Sequence, residues 1–235
     1  MQEGAERFGA KTEYAEVKSL DLQADPKRIE TSEGTFYGKT VVYAAGAGPR
    51  KLGVPEENLL AGRGVHYCAA CDGMFYRGKT VAVVGGGNTA AAAVSVLSRV
   101  ASKVILIHRR DTLRASGVYH KPLKELNNAQ FHWNTKVTEI RQGEIAIENV
   151  ISGEKQVLPC DGVFVSIGRQ PETGLVEGLL HLDEQGYIVA DESTRTNIAG
   201  VFAVGDVRTK GLRQIVTAVA DGATAVHYAE EYLAL

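Results

Sequence analysis

Cysteine is scarce here, three residues in 235, an odd number unsuited to a secreted disulfide framework. Proline is scarce too. Six prolines stand against twenty-six glycines spread along the chain, which fits an α/β protein with many tight strand-to-helix turns and not a disordered or low-complexity one. An excess of either charge is also missing: 26 Lys and Arg face 28 Asp and Glu, for a net charge of -2. No overall basic field therefore points to nucleic acid or to an anionic membrane as a partner. Residues 1–20 offer no apolar run for a signal peptide or a membrane span, because Glu3, Glu6, Arg7, Lys11, Glu13, Glu16 and Lys18 interrupt them. A cytoplasmic location is the expectation. What remains, 44% hydrophobic and 23% charged residues, is the composition of a globular protein long enough for one large or two modest domains.

The pattern along the chain is that of alternating strands and helices. A helix end around Met1–Gly9 precedes expected strands at Glu13–Leu20, Arg28–Thr31 and Thr40–Ala45, the last stopped by Gly46-Ala47-Gly48-Pro49. Lys79–Val84 is a short continuous apolar run of the kind a buried parallel strand shows. Thr89–Val100 follows as a helix and Lys103–Ile107 as the next strand, so Lys79–Ile107 reads as one βαβ unit. Further strands are expected at Gln130–Thr138, Glu144–Asn149, Gln156–Pro159, Gly162–Ile167 and Val201–Val204, with a closing helix at Val216–Leu233.

Strand Lys79–Val84 runs straight into Gly85-Gly86-Gly87-Asn88-Thr89-Ala90, a G-x-G-x-x-A pattern where a phosphate loop belongs. Gly85 permits the tight turn, Gly87 lets backbone approach a pyrophosphate, and Ala90 lets the helix pack on the sheet with its first amides facing the anion. A plain glycine turn is the competing reading. About 20 residues beyond such a loop, NAD-binding folds place an acid on the ribose and NADP-binding ones place arginine by the 2′-phosphate. This chain has His108-Arg109-Arg110-Asp111-Thr112-Leu113-Arg114 there. Three guanidiniums suit a dianionic phosphate better than lysines would, so NADPH is expected and not NADH.

Two of the cysteines form Cys68-Ala69-Ala70-Cys71, followed by Asp72-Gly73. The spacing allows a small disulfide loop, and thiol–disulfide exchange needs a thiolate to attack and a proton for the sulfur that leaves, which Asp72 can handle. A zinc site would need four ligands. Only Cys160 and His66 are at hand to complete one, and no second spaced pair supports it. Cys160 reads as a small buried apolar residue.

Gly64-Val65-His66-Tyr67-Cys68-Ala69-Ala70-Cys71-Asp72-Gly73, the Gly85–Ala90 loop, the His108–Arg114 run and Gly205-Asp206 with Arg213-Gln214 together resemble the low-molecular-weight thioredoxin reductases, over essentially the whole chain. The resemblance implies an α/β fold in which a Rossmann-like three-layer NADPH domain with the redox-active cysteines, residues 51–169, is inserted in an FAD-binding domain of the same type, residues 1–50 and 170–235. Gly85, Gly87, Asn88, Thr89, Ala90, His108, Arg109, Arg110 and Arg114 would hold NADPH. Gly205 and Asp206 would bond the ribityl chain of FAD, with Arg213, Gln214 and Ile215 near the flavin. Cys68, Cys71 and Asp72 would be catalytic, electrons passing from NADPH through FAD to the disulfide and on to thioredoxin or a thioredoxin-like protein. The likeness also implies a homodimer when intact and rotation about crossings near Gly46–Leu52 and Gly168–Thr173.

Three departures stand out. No earlier glycine loop precedes Gly85, so the flavin domain reads as incomplete, as in a truncated piece, a partial reading frame or a naturally short form, and FAD binding by this chain alone is doubtful. Ala91-Ala92-Ala93 replaces acidic residues that often follow the loop, and Ala44-Ala45-Gly46 replaces Ala-Thr-Gly. The rival readings are an NADPH-binding fragment that catalyses nothing, and a reductase serving a peroxidase partner.

Overall fold

The structure, a computed structural model, describes residues 2–234. In chain order its elements are α1 (Gln2–Arg7), β1 (Val17–Asp21), β2 (Lys27–Thr31), β3 (Gly34–Gly38), β4 (Val41–Tyr43), β5 (Ala47–Pro49), β6 (Val65–His66), α2 (Ala69–Asp72), β7 (Thr80–Val84), α3 (Asn88–Leu97), β8 (Lys103–Ile107), α4 (His120–Lys124), β9 (Ala129–His132), β10 (Thr135–Arg141), β11 (Glu144–Asn149), β12 (Lys155–Pro159), β13 (Gly162–Val165), β14 (Arg169–Pro171), β15 (Val201–Ala203) and α5 (Ile215–Leu233). The chain divides into two units. One runs to Gly48 and resumes at Gln170, and the other extends from Pro49 to Arg169.

The second unit is built on a five-stranded sheet in the order β6-β13-β7-β8-β9, every pair parallel. Successive side chains of a strand point to opposite faces, so a strand buried on both sides must be apolar at every position. Val81, Val83, Val104, Leu106 and Phe164 accordingly face Ala90, Ala93, Val94 and Leu97 of α3. Ala82, Val84, Ile105, Ile107, Val163 and Val165 face Val137, Ile140, Ile145, Ile147 and Leu158 of the antiparallel sheet β10-β11-β12. Helix, parallel sheet and meander make three layers. Leu97 is fully buried in this packing, and its truncation to Ala would cost about 2–5 kcal/mol.

The strand expected at Gln130–Thr138 is two strands. β9 belongs to the parallel sheet and β10 to the meander, and the chain changes layer at Trp133-Asn134, where Asn134 takes φ 51°. Asparagine tolerates that left-handed conformation because its short side chain bonds locally, a signal the apolar pattern on either side concealed.

In the first unit β1, β2 and β3 form an antiparallel sheet, and β4 pairs with β15 in parallel, Val41 opposite Val201. β3 lies in a stretch the sequence pattern left without a strand. The turn at Ser32–Glu33 returns it onto β2 with Ile29 opposite Phe36. Leu22, Tyr43, Val176, Leu180, Ile188, Val201 and Ala203 form its main core, and Phe202 and Val204 pack on Ala225 of α5. The helix end expected at Met1–Gly9 is α1, and Met1 lies outside the described residues. No helix among the described residues is long and apolar enough to cross a membrane.

Candidate functional site

The three glycines after β7 each answer a different constraint. Gly85 has φ 147°, and a Cβ there would strike the Ser166 carbonyl and come within 3.0 Å of the Ala90 methyl. At Gly86 a Cβ would run into the imidazole of His108. Gly87 faces open space, with nothing within 4 Å of where its Cβ would be. It is also the N-cap of α3 and supplies no side-chain acceptor, so the first-turn amides of that ten-residue helix await an acceptor from outside. Ala90 is fully buried, letting α3 sit close on the sheet.

The arginine-bearing segment after β8 is fastened to this loop. The amides of Arg114 and Ala115 donate to the Gly86 carbonyl at 2.7 and 3.2 Å, and Ser116 N donates to Asn88 Oδ1 at 2.7 Å. Leu113 and Ala115 are buried and anchor the segment, which leaves the guanidiniums of Arg109, Arg110 and Arg114 exposed. None of the three has a hydrogen-bond or ion-pair partner among the described residues. Thr89 is exposed in the first turn of α3, and the Asn88 side chain is already committed to Ser116. His108 lies behind the loop, 5% exposed, with Nε2 unpartnered. Burial first, and then the charges of Arg114, Arg110 and Arg109, push its pKa down, so the ring packed against Gly86 is neutral.

In the same unit, Cys68 and Cys71 are joined by a disulfide, their Cα atoms 5.3 Å apart. Cys68 is half-buried and Cys71 exposed. Cys68 is the N-cap of α2, its sulfur accepting the Cys71 N–H at 3.2 Å. Asp72 closes the same turn, half-buried, with Oδ2 3.0 Å from His66 Nδ1; His66 Nε2 in turn lies 2.7 Å from the Tyr76 hydroxyl. Met74 and Phe75 project into solvent beside the pair. Cys160 is buried and unbonded, its pKa pushed up to about 12 by burial first and then by Asp161 and Glu144.

The residues expected near a flavin fall in the first unit. Gly205, with φ 74°, opens the 3₁₀ turn Gly205–Val207 that holds half-buried Asp206, and its amide donates to Asp221 Oδ2 at 2.8 Å. Asp221 also takes Arg208 Nε at 2.8 Å, Arg208 Nη2 at 2.7 Å and Lys210 Nζ at 2.7 Å. The Arg213 guanidinium sits 3.9 Å from the centroid of Tyr187, with its buried Nε unpartnered. Gln214 caps α5 reciprocally with Thr217, and Ile215 is 82% exposed beside exposed Leu212 and Val216.

Sequence reasoning passed over Gly86, treating it as the variable position of the loop, and missed Tyr76, Arg208 and Asp221. His66 stands in the segment that carries the family resemblance and was otherwise weighed only as a zinc ligand. Its place two residues before Cys68 on an apolar strand was the available signal.

Comparison with known proteins accords with this geometry. The family model described as pyridine nucleotide-disulphide oxidoreductase matches residues 4–222. The chain is 43% identical over 239 residues to a protein of Treponema pallidum named thioredoxin reductase, covering 99% of this chain and 77% of that one. Among solved structures, the thioredoxin reductase of Streptococcus pyogenes superposes with a TM-score of 0.87 at 40% identity, covering 98% of this chain and 77% of its own. The thioredoxin reductase of Giardia duodenalis superposes with a TM-score of 0.88 at 32% identity, covering 100% and 79%.

Proposed function

Because the chain belongs to the pyridine nucleotide-disulphide oxidoreductases, and among them to the thioredoxin reductases, we propose that it carries electrons from NADPH through FAD to the Cys68–Cys71 disulfide and on to thioredoxin or a similar small protein. The observation that carries this reading is a formed disulfide with a carboxylate, Asp72, in the same turn, in a unit that also presents a glycine loop fastened to a segment of exposed arginines.

The residues present fit NADPH and, in part, FAD. The uncapped first turn of α3 and the open space at Gly87 suit a pyrophosphate, and Arg109, Arg110 and Arg114 suit a 2′-phosphate. In the first unit, the buried, unpartnered Nε of Arg213 beside exposed Leu212, Ile215 and Val216 suits a flat group that is apolar on one side and accepts a hydrogen bond on the other. When bound, NADPH supplies a hydride and FAD the two-electron relay to sulfur.

The chain's own residues handle sulfur and protons. Two electrons and two protons open the disulfide into a dithiol; the Cys71 N–H directed at Cys68 Sγ favours negative charge there, and Asp72 exchanges the proton. Delivery reverses this. A thiolate attacks the partner's disulfide to give a mixed disulfide, the second cysteine displaces the partner and re-forms the Cys68–Cys71 bond, and the partner leaves as a dithiol with both electrons.

The test is oxidation of NADPH by the purified chain, supplied with FAD and thioredoxin. Turnover that disappears in Cys68→Ser or Cys71→Ser supports the reading. A chain that binds NADPH, carries no flavin absorbance after removal of free FAD and turns over nothing would support the second reading, a nucleotide-binding piece. That reading is favoured by the single strand, glycine loop and helix found among the described residues.

A further inference from the structure

We propose that His66, backed by Tyr76, is a positioning residue that fixes the Asp72 carboxylate for proton exchange with the Cys68–Cys71 pair. This rests on the acid–base role of Asp72 given above. Both ring nitrogens of His66 are engaged, Nδ1 with Asp72 Oδ2 at 3.0 Å and Nε2 with the Tyr76 hydroxyl at 2.7 Å. An ionised carboxylate only accepts, so Nδ1 carries the hydrogen; in a neutral ring Nε2 then accepts and Tyr76 donates. Tyr76 is suited to donate. Burial first, and then the negative charge of Asp72 and Asp161, raises its pKa and keeps the hydroxyl protonated. The result is a directed chain, Tyr76 O–H to His66 and His66 N–H to Asp72, that occupies Oδ2 and leaves Oδ1 without a partner among the described residues.

The array is held on every side. Parallel pairing sets Phe164 of β13 opposite His66 of β6, and the two rings stack at 5.3 Å and 27°. Tyr76 meets both edge-on, at 5.2 and 5.4 Å, and fits there only because Gly162 has no Cβ to strike its ring. Lys79 Nζ lies 5.5 Å from the centroid of the Tyr76 ring. His66 and Tyr76 are each 6% exposed, whereas the Asp72 side chain is 33% exposed. A carboxylate with that freedom, in a turn that presents an exposed Cys71, would move among rotamers unless one oxygen were tethered, and among the described residues the tether is the buried imidazole.

The test needs neither cofactor. The full chain is reduced with dithiothreitol, desalted, and mixed with dithiobis(nitrobenzoate) in single-turnover stopped flow. His66→Gln, which reaches Tyr76 but not Asp72, should slow the exchange by roughly tenfold, the worth of one charge-assisted hydrogen bond. His66→Asn places an amide nitrogen where Nδ1 stood and should recover most of the rate. Tyr76→Phe keeps the ring and should give a smaller loss in the same direction. In an Asp72→Asn background, His66→Gln should add little, because residues acting through one group are not additive. Equal slowing by His66→Asn and His66→Gln, or full additivity with Asp72→Asn in variants whose circular dichroism shows them folded, would overturn the proposal. An unchanged rate in Asp72→Asn alone would instead remove the acid–base role on which it rests.

Discussion

The backbone N–H of Arg114 donates to the carbonyl oxygen of Gly86 at 2.7 Å, so the arginine segment after β8 and the glycine loop after β7 form a single piece. The guanidiniums of Arg109 and Arg110 project from that piece with no partner among the described residues. Nucleotide preference is therefore expected to follow these side chains: the unmodified chain binds NADPH in preference to NADH, and Arg109→Ala with Arg110→Ala weakens NADPH by roughly tenfold or more. NADH affinity should hardly change, and the preference should shrink at high salt, because the guanidiniums are exposed. Calorimetric titration with both nucleotides checks this. Equal affinities in the unmodified chain would sink it.

A methyl group at Gly86 tests the loop from behind. Its Cβ would collide with the buried imidazole of His108, and since His108 is also seated by its own backbone bonds to His132 and Thr135, the loop has to give. Gly86→Ala is expected to destabilise the unit by about 1–3 kcal/mol and to weaken NADPH, with the Cys68–Cys71 exchange rate in the reduced chain unchanged. Trp133, the one tryptophan in the chain, has its ring 6.4 Å from His108 and can report both the unfolding and the binding by fluorescence. A variant with full nucleotide affinity and stability would refute the packing argument.

Cys160 should stay silent. A thiol pushed up to about 12 by burial and by the charges of Asp161 and Glu144 is ionised in roughly one molecule in a hundred thousand at pH 7, and only thiolate reacts. After reduction, two thiols per chain are expected to titrate quickly under native conditions, with the third appearing only in denaturant. Native reaction of all three at similar rates would contradict this burial.

Much of the second unit was legible because the strands of its parallel sheet are apolar on both faces and those of its meander alternate. Lys103–Ile107 and Glu144–Asn149 carry the boundaries their sequence suggests, and the Gly85–Ala90 loop lies where β7 meets α3. The split between β9 and β10 was hidden, since both flanks of Asn134 suit a strand and a backbone φ leaves no mark in hydropathy. The site was readable where residues are neighbours in sequence, as in Cys68-Ala69-Ala70-Cys71-Asp72. It was opaque where contacts cross the chain: Phe164 stacking on His66, Gly162 making room for Tyr76, and Asp221 receiving Arg208, Lys210 and Gly205 from another element.

That last cluster gives a stability prediction with a definite pH signature. Burial alone would raise the carboxyl pKa of Asp221, but hydrogen bonds from Arg208, Lys210 and Gly205, with the Arg208 charge, outweigh burial and hold it at about 2, below the ordinary 3.8. A carboxylate with a depressed folded pKa adds stability that is fully present above about pH 4 and is lost as pH falls through about 2, worth about 2 kcal/mol by linkage. Asp221→Asn keeps the shape but leaves the Arg208 and Lys210 charges, 3% and 7% exposed, without a counter-charge. Stranding a buried charge in this way costs about 3–5 kcal/mol. The variant should therefore unfold at markedly lower urea concentration at pH 7, and its deficit relative to the unmodified chain should narrow as pH is lowered from about 4 toward 2, where Asp221 itself takes up a proton. Urea titrations of both proteins at neutral pH and at two points inside that window provide the measurement. A deficit that stays constant across the window would show that the Asp221 charge does not hold Arg208, Lys210 and the Gly205 turn together.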